Sequence, residues 1–366
     1  MAVLDKLFKA GVDFNASDIH LAPGEPYVLR RVGTLQKLKN PKLSAKRCKA
    51  LIYEILTEKQ RKKLQDDFQL DFVYEIPKLG RFRGSAMMHN SGLSASFRII
   101  PPKIPSFEEL HLPSEIINKI LDNHQGLILV TGAAGQGKST TLASMVDRIN
   151  TIRAHHVLTV EDPIEFVHPL KKGVVNQRQL GTGTLSYGNA LKAALREDPD
   201  VIAIGELRDL ETTELAISAS ETGHLVIGTL SSSNAPKTID RIIDSYPAGG
   251  QSQIRAMLSE AIKAVITQRL VPNKNGKNME LAIEILIGSV PVANLIRDNK
   301  VFQIPSMMQT GKRLGMRIMD ESLLELVKED KVAAEVAVQY ANSANLFKAY
   351  MPKPETDQTQ KNGEGQ

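Results

Sequence analysis

Residues 126–150, "GLILVTGAAGQGKSTTLASMVDRIN", carry the most specific pattern in the sequence. Its first part, 126–130, is a short apolar run typical of a buried parallel strand. Gly132, Gly135 and Gly137 follow, and glycine lets a backbone bend and approach a ligand with no Cβ in the way. After this turn the apolar residues recur at helical spacing. A strand, a glycine turn and a helix N-terminus in this order form an anion site from main-chain N–H groups.

The turn fits the phosphate-loop pattern GxxxxGK[ST], which is specific in this strand–turn–helix setting. Lys138 is expected to bring a positive charge to the β- and γ-phosphates of a nucleotide, and the Ser139 hydroxyl to bind Mg²⁺. Because such loops serve kinases, switches, helicases and motors alike, the pattern predicts nucleotide binding and leaves the reaction open. The residues expected around the phosphates are Gly132, Ala133, Ala134, Gly135, Gln136, Gly137, Lys138, Ser139 and Thr140.

The pattern of the chain changes along its length and predicts an α/β protein of more than one domain. A helical pattern covers 44–68, with Ser44 as its N-cap. Strand-like runs in the first hundred residues lie at 17–22, 26–33, 71–76, 80–88 and 93–100. Further on, apolar runs that alternate with helical stretches predict a mostly parallel sheet with helices on both faces, and these runs lie at 126–130, 157–160, 201–204 and 225–230. The predicted divisions are an N-terminal domain 1–100, a proline-rich linker 101–110, an α/β core 111–288, a helical region 289–351 and a disordered tail 352–366.

Composition narrows the class of protein. No apolar run reaches the 18 residues that a membrane span needs. The first residues are too polar for a signal peptide and instead predict a short amphipathic helix. A single cysteine, Cys48, excludes internal disulfides and cysteine-based zinc sites and favours the cytoplasm. The net charge of +5 and a pI near 9.0 permit an acidic partner, although a mildly basic protein is the simpler interpretation. With 5% aromatic residues and no tryptophan, stacking surfaces for single strands are scarce, so no nucleic acid is expected.

Two acidic stretches follow predicted strands and would complete a nucleotide site. "TVEDPIEF" (159–166) contains Glu165, which we expect to polarise the attacking water. "DPDVIAIGELRD" (198–209) is a strand that ends in Glu206, the expected holder of Mg²⁺ and its water shell at the carboxyl end of a neighbouring strand. The usual motif has Asp–Glu at this point, whereas Gly205 stands first here. Taken alone, each acid is equally well a surface or capping carboxylate.

No arginine of the predicted α/β core is an evident candidate to stabilise, at the phosphate loop, the charge that develops in phosphoryl transfer. Arg83 and Arg98 lie on two strand-like runs of the first domain, and an antiparallel hairpin would bring both to one face. From there they would reach phosphate across a domain or subunit boundary, although each alone also fits a surface arginine. A site between domains would couple ATP turnover to domain rotation, which a motor needs.

The sequence resembles the secretion ATPase superfamily and, within it, the type IV pilus retraction ATPases, the PilT-like family. The resemblance covers nearly the whole chain, from "ASDIHLAPGEP" through "VEDPIEFVHP", "REDPDVIAIGELRDLET" and "ETGHLVIGTL" to "FQIPSMMQTGKRLGMRIMDESLLELV" (302–327). It implies an N-terminal PAS-like α+β domain, then a RecA-like P-loop ATPase domain with a helical C-terminal part. It also implies a ring of six identical subunits with ATP at their interfaces.

Matching motif positions carry the family's site residues over to this chain. They give Lys138 and Ser139 as phosphate and Mg²⁺ ligands, Glu206 as the Walker B acid and metal ligand, Glu165 as catalytic base, Arg83 and Arg98 as γ-phosphate sensors, and His224 as the first histidine of a histidine box. The resemblance further implies an inner-membrane pilus platform protein as partner, paralogous pilus ATPases as further ones, and a place at the cytoplasmic, inner face of the inner membrane.

Three departures from the family pattern bear on activity. Ser231 stands in "GTLSSS" where the family has a second histidine. The phosphate loop carries Ala133, Ala134 and Gln136 in place of the usual residues. Ala293 in "PVANLIRD" (291–298) replaces an arginine of a segment associated with retraction. The resemblance therefore predicts ATP binding most directly and efficient retraction least directly.

Other functions remain open at this point. The leading hypothesis is a hexameric motor that retracts or depolymerises pili. An accessory ATP-binding paralogue that regulates such a motor would tolerate Ser231 and Ala293. A pilus extension or type II secretion ATPase commonly carries a four-cysteine zinc insert, which this chain with its one cysteine lacks. A ring ATPase that moves DNA is suggested only by the basic pI.

Overall fold

The computed structural model describes residues 2–351 and contains two β-sheets. The predicted disordered tail, 352–366, lies outside the described residues. The first sheet has six antiparallel strands in the order β3-β2-β1-β6-β5-β4. Its strands are β1 (Asp18–Leu21), β2 (Val28–Arg31), β3 (Thr34–Lys37), β4 (Gln69–Ile76), β5 (Gly80–His89) and β6 (Gly92–Ile100).

Three helices cover one face of this sheet, namely α1 (Val3–Asp13), α2 (Ala45–Glu54) and α3 (Glu58–Asp67). The core under them is aromatic: the ring of Phe8 is stacked on that of Phe82, with centroids 4.3 Å apart, and meets that of Phe97 edge-on at 5.0 Å. Because side chains alternate along a strand, the residues next to these phenylalanines, Arg83 and Arg98, point to the opposite face. The first sheet thus has one apolar, helix-covered face and one polar face.

The predicted single helix over 44–68 is wrong, since the structure has two helices there. Ser44 does cap the first of them and accepts a hydrogen bond from the main chain of Arg47 at 3.2 Å. Thr57 then begins a second helix through a capping box, in which Thr57 and Gln60 bond to each other's main-chain N–H. A threonine followed three residues later by glutamine is a helix start signal, and it competes with continuation of the first helix.

The second sheet has seven strands in the order β13-β12-β7-β11-β10-β8-β9. All neighbours are parallel except β13, which pairs antiparallel with β12. Strands β7 and β11 are buried along their whole length. The strands are β7 (Gly126–Thr131), β8 (His156–Glu161), β9 (Val174–Gln179), β10 (Val201–Ile204), β11 (Leu225–Leu230), β12 (Ile262–Pro272) and β13 (Met279–Ile287).

Helices cover both faces of this sheet, as the alternating pattern predicts. Alternate residues of β7 divide between two cores, with Leu127 and Leu129 in one and Ile128 and Val130 in the other. The helices in chain order are α4 (Ser114–Leu121), α5 (Lys138–Ile152), α6 (Tyr187–Ala194), α7 (Leu210–Glu221), α8 (Ala235–Asp244), α9 (Gln251–Ala261), α10 (Val290–Arg297), α11 (Ile304–Thr310), α12 (Met319–Lys328) and α13 (Ala334–Tyr340). Short 3₁₀ turns lie at Ala248–Gly250, Val301–Gln303, Gly311–Leu314 and Ala344–Tyr350. None of the helices within 2–351 is long and apolar enough to span a bilayer.

The α/β class and the four predicted parallel strands are confirmed, as are the five strand-like runs of the first sheet. The segment after β6 packs against the second sheet, because Phe107 is buried in its core and the Ser144 hydroxyl donates to the Pro105 carbonyl at 2.6 Å. This contact brings the polar face of the first sheet towards the carboxyl ends of the parallel strands, where the phosphate loop lies.

Candidate nucleotide site

The phosphate loop joins the end of β7 to the start of α5 and takes the shape that its glycines allow. Gly132, Gly135 and Gly137 have φ angles of 148°, 77° and 82°, a region that side chains disfavour. A Cβ added to Gly132 would lie 2.7 Å from the Gln268 carbonyl oxygen of β12, so no larger residue fits there. Helix α5 begins at Lys138, which leaves its first N–H groups directed at the loop.

Lys138 closes over this loop. Its ammonium group donates to the carbonyl oxygens of Gly132 and Ala133, both at 2.9 Å. Burial lowers the pKa of Lys138, and the nearby charge of Glu206 partly offsets that effect. A half-buried ammonium whose hydrogen bonds go only to neutral carbonyls gains from an anionic ligand, so the loop is suited to phosphate.

A cleft of about 440 Å³ lies between the polar face of the first sheet and the carboxyl ends of the parallel strands. The structure brings most of the predicted site residues to this cleft. Those that line it are Arg83, Arg98, Ala134, Gly135, Lys138, Ser139, Glu165 and Glu206, together with Ser231. Of the remaining predicted residues, Gly132, Ala133, Gln136 and Gly137 belong to the phosphate loop, and Thr140 lies in the first turn of α5.

Glu206 lies one residue beyond Gly205 at the end of β10 and has two side-chain partners. Arg208 donates to its carboxylate from Nε at 2.6 Å, and the Ser231 hydroxyl donates at 3.2 Å. Burial raises the pKa of Glu206, but these hydrogen bonds and the charge of Lys138 outweigh it and lower the pKa below its ordinary value. Glu206 is therefore a firmly ionised carboxylate next to the phosphate loop.

Glu165 is on the loop after β8 and meets the first sheet across the cleft. Its carboxylate lies 3.4 Å from the Arg83 guanidinium, and its main-chain carbonyl accepts from Arg81 at 3.4 Å. Strand β9 also holds this loop, because the Gln177 amide donates to the Phe166 carbonyl at 2.9 Å. The loop with Glu165 is thus fixed between β9 and the first sheet.

Arg83 and Arg98 are directly opposite one another on β5 and β6. The prediction that a hairpin brings both to one face is confirmed. Two like charges in this position repel, and each arginine has an acid of its own, Arg83 having Glu165. Arg98 bonds through Nε to Asp18 of β1 at 3.1 Å, and Arg30 approaches the same carboxylate at 4.0 Å.

A third acid, Glu161, is half-buried at the end of β8. Its carboxylate accepts from the Thr159 hydroxyl at 2.7 Å and from the Gln177 amide at 3.1 Å. Burial raises its pKa, and the charge of Glu165 adds to this effect, although the two hydrogen bonds oppose it. Glu161 thereby links β9 to the loop that holds Glu165.

The structure does not bring His224 to the cleft of its own chain. This histidine precedes β11, whereas Ser231 follows it, and a strand of this length at about 3.3 Å per residue separates the two ends by roughly 20 Å. The His224 ring instead bonds to the Ala219 carbonyl at 3.1 Å. Ala293 is on α10 and also lies away from the cleft.

A set of contacts joins the site to the C-terminal helices. The Gln136 amide oxygen accepts from the main chain of Leu270 on β12. The neighbouring Arg269 donates to the Ser233 carbonyl at 3.3 Å and to the Tyr340 carbonyl of α13. From β13, buried Glu284 accepts from the first N–H of α8 at 2.8 Å and from that of α12. The loop after β11 is therefore connected to α12 and α13.

Sequence reasoning missed several of these residues. Arg208 is two residues after Glu206, and side chains two apart in extended chain share a side, so the spacing in "GELRD" gave a usable signal. Asp18 and Arg269 carry no such signal, because their partners, Arg98 and Tyr340, are distant in sequence.

The residues present fit a nucleotide with Mg²⁺. The ammonium of Lys138 and the start of α5 suit phosphate oxygens. Ser139 and Glu206 both line the cleft and offer oxygen ligands, and Mg²⁺ in proteins is commonly held by one or two carboxylates together with phosphate oxygens and water.

Comparison with known proteins gives consistent matches. The family model described as "Type II/IV secretion system protein" matches residues 1–353. The type IV pilus retraction ATPase PilT of Pseudomonas aeruginosa is 47% identical over 332 residues, which are 91% of this chain and 96% of that protein. A twitching motility protein of Neisseria gonorrhoeae is 45% identical over 343 residues, 94% of this chain and 91% of the relative. A crystal structure of the pilus retraction motor PilT with bound ADP has a TM-score of 0.83 at 42% identity and covers 94% of this chain and 98% of its own.

Proposed function

The chain belongs to the family of type II/IV secretion system proteins, as a PilT-like ATPase, and on that premise we propose that it is a hexameric motor that hydrolyses ATP to retract type IV pili. Two relatives at 47% and 45% identity are named for pilus retraction and for twitching motility. The observation that carries the proposal is the cleft itself, where the phosphate loop and Glu206 face Glu165 and Arg83.

Each residue of the cleft has a proposed part in hydrolysis. Lys138 and the start of α5 bind the phosphates, and Glu165 accepts a proton from the attacking water. Arg83 and Arg98 neutralise charge on the transferring group. Mg²⁺, which Ser139 and Glu206 are placed to hold, supplies further positive charge at the phosphates when bound. Because Arg83 and Glu165 belong to the two sides of the cleft, closure on ATP would move one sheet relative to the other.

The finer points of organisation are also proposals. We propose a PAS-like domain over 1–100, a linker over 101–110, a RecA-like core over 111–288 and a helical region over 289–351. The proposed partners are five further copies of the chain, an inner-membrane platform protein and paralogous pilus ATPases. The proposed location is the cytoplasmic side of the inner membrane, bound peripherally. His224, at the end of β11 opposite to Ser231 and about 20 Å from it by strand length, would act only across a subunit interface.

One observation favours a second function, an accessory ATPase that binds ATP and regulates another motor. Ser231 stands where the family resemblance implies a histidine, and its hydroxyl bonds to the Glu206 carboxylate at 3.2 Å. A neutral hydroxyl cannot place positive charge near a γ-phosphate. The accessory function requires that serine in place of histidine reduces ATP turnover to background while ATP binding is kept.

One experiment separates the two functions. Phosphate release is measured on the purified protein at saturating ATP and Mg²⁺, beside its mass in solution, with Lys138→Ala as the matched variant. A hexamer whose turnover disappears in Lys138→Ala supports the motor. A hexamer that binds ATP without turnover supports the accessory function. Turnover of wild-type rate in Lys138→Ala would overturn the assignment of the loop.

A further inference from the structure

The positive charge of the chain is concentrated in one segment of the first domain. Residues 37–63 contain ten Lys and Arg but only two Glu, a net charge of +8, whereas the whole chain carries +5. The rest of the chain is therefore net −3. We call this segment's cations the basic surface; Arg61 is half-buried and the others are exposed. Its members are Lys37, Lys39, Lys42, Lys46, Arg47, Lys49, Lys59, Arg61, Lys62 and Lys63.

The basic surface is largely without acidic partners. Lys37 pairs with Glu25 at 2.6 Å, and none of the other nine forms an ion pair with a residue of 2–351. Arg61 donates to the Tyr53 carbonyl at 3.0 and 2.7 Å instead. Lysines that serve only as a solvated face are usually interspersed with acids. The stretch 37–49 contains six Lys and Arg and no acid, whereas α3 also carries Glu58, Asp66 and Asp67 and has a net charge of only +1.

The two helices present this charge together and away from the nucleotide cleft. Lys49 of α2 and Arg61 of α3 flank one ring, that of Tyr53, at 5.1 and 5.9 Å from its centroid. Both helices bury their apolar residues against the first sheet on the face opposite Arg83 and Arg98. The cations therefore point outward from the molecule on its far side.

An apolar pair adjoins the end of α3. Phe68 follows the helix with φ of 59°, a left-handed conformation that costs a bulky residue energy, and 64% of it is exposed. Met88 is 41% exposed, and its N–H donates to the Phe68 carbonyl at 2.8 Å. Lys63 is about 8 Å from Phe68 along the axis, at 1.5 Å per residue. No packing in the fold accounts for an exposed phenylalanine in this conformation.

We propose that the basic surface, with Phe68 and Met88 at its edge, binds the anionic surface of a phospholipid membrane. Clustered lysines attract anionic headgroups, and exposed aromatic and methionine side chains enter the interface below them. The apolar edge favours a membrane over nucleic acid, whose backbone offers no apolar surface to Phe68. The inference rests on the proposed peripheral location and specifies the surface responsible for it.

Vesicle binding tests this directly and does not depend on ATP turnover, so its failure leaves the motor proposal standing. The full chain is sedimented with phosphatidylglycerol–phosphatidylcholine vesicles and with pure phosphatidylcholine vesicles. We expect binding to the anionic vesicles only, with loss at 1 M salt, where screening acts over about 3 Å. Each exposed cation contributes roughly fivefold to such binding. A quadruple exchange to Gln should therefore weaken it more than tenfold, and its positions are Lys46, Lys49, Lys59 and Lys62.

A charge-matched variant makes the comparison specific. Four exposed lysines elsewhere are exchanged to Gln with the same change in net charge, at Lys119, Lys277, Lys328 and Lys348. We expect this variant to bind vesicles as the wild type does. Equal loss in both quadruple variants would show that only net charge matters, and no binding by the wild type would overturn the proposal. Binding of a duplex oligonucleotide without vesicle binding would also overturn it and assign the surface to nucleic acid.

Phe68→Gly tests the apolar edge separately. Glycine is the preferred residue in this left-handed position, so the variant should fold with unchanged or higher thermal stability. We expect its vesicle binding to fall several-fold while the salt dependence stays the same, because the lysines remain. Unchanged vesicle binding in Phe68→Gly would remove Phe68 from the proposed surface.

Discussion

The guanidinium of Arg83 lies 3.4 Å from the Glu165 carboxylate, across the cleft between the two sheets. The proposed catalytic base and one proposed γ-phosphate sensor are therefore paired with each other in this structure. A γ-phosphate is an anion that competes with Glu165 for the same guanidinium. Transfer of Arg83 from carboxylate to phosphate would leave Glu165 free to accept a proton from water.

Glu165→Gln should bind ATP and fail to hydrolyse it. An amide oxygen takes no proton from water, and a positioned base contributes about 10²–10⁴-fold to such steps. Affinity should be kept or rise slightly, because Arg83 loses its charged competitor for phosphate. Nucleotide affinity and single-turnover phosphate release are measured on the same preparation. Loss of ATP binding in this variant would make Glu165 a structural residue instead.

Arg98→Ala should lower turnover sharply with little change in ATP affinity. An arginine supplied to the transferring phosphoryl group is worth roughly 10³–10⁵ in rate in other phosphate enzymes. Arg30→Ala is the matched control, since Arg30 also neighbours Asp18, at 4.0 Å, but does not line the cleft. Steady-state kcat and KM are compared for the two variants. Equal kcat in Arg98→Ala and wild type would show that the charge comes from another residue.

Ser231→His should raise turnover several-fold. The serine hydroxyl is an uncharged donor that is already engaged with the ionised Glu206 carboxylate. A protonated imidazole at this position would bring a positive charge of its own to the γ-phosphate, and a charge-assisted bond is worth roughly twice a neutral one, which contributes about 1 kcal/mol net. Ser231→Ala serves as the comparison and should lower turnover, because Glu206 then loses the partner at 3.2 Å. Phosphate release at saturating ATP is measured with hexamer content checked in each form. If His and Ser give equal rates, the site is built around the serine.

Glu161→Gln should stabilise the fold at pH 7 and leave it unchanged near pH 4. Burial raises the pKa of Glu161 in the folded state above the unfolded value of about 4.3. The folded state then binds the proton more tightly, so stability falls as pH rises from about 4.3 through the raised pKa. Glutamine never ionises and avoids this loss while still accepting from Thr159. Thermal unfolding from pH 4 to 8 is the measurement, with exposed Glu214→Gln as control. A midpoint equal to that of the wild type at pH 7 would contradict the prediction.

Much of the second sheet was predictable because its central strands are continuous apolar runs between glycines. Four strands were missed, and three of them lack this signal, whereas β13 reads "MELAIEILI" and has it in part. Strand β3 is exposed along its whole length, and β9 reads "VVNQRQ" at the sheet edge. Strand β12 has an apolar pattern broken by Gln268, whose buried amide bonds to Thr141 of α5 at 2.9 Å. These segments form strands because they pair with residues that are distant in sequence, and a local pattern does not reveal such pairing.

In the cleft, the phosphate-loop residues could be predicted from a local sequence pattern, and the structure places them together. The positions of Arg83 and Arg98 followed from hairpin geometry alone. His224 was carried over by resemblance, and a motif position gives no information on which end of a strand faces the ligand. The partner Asp18 was missed because sequence alone does not fix which charges pair across strands. Arg208 was missed although its spacing from Glu206 gave a local signal.

Arg269 donates its hydrogen bonds to Ser233 and Tyr340 at their main-chain carbonyl oxygens. Every residue type presents the same carbonyl, so the side chains at both ends are free to change while the contact persists. Related sequences would then show no correlated substitution between positions 233 and 340, however strongly the two segments move together. A survey of covarying positions would therefore miss this connection. The presence of the arginine between the two segments would be its only sign in the sequences.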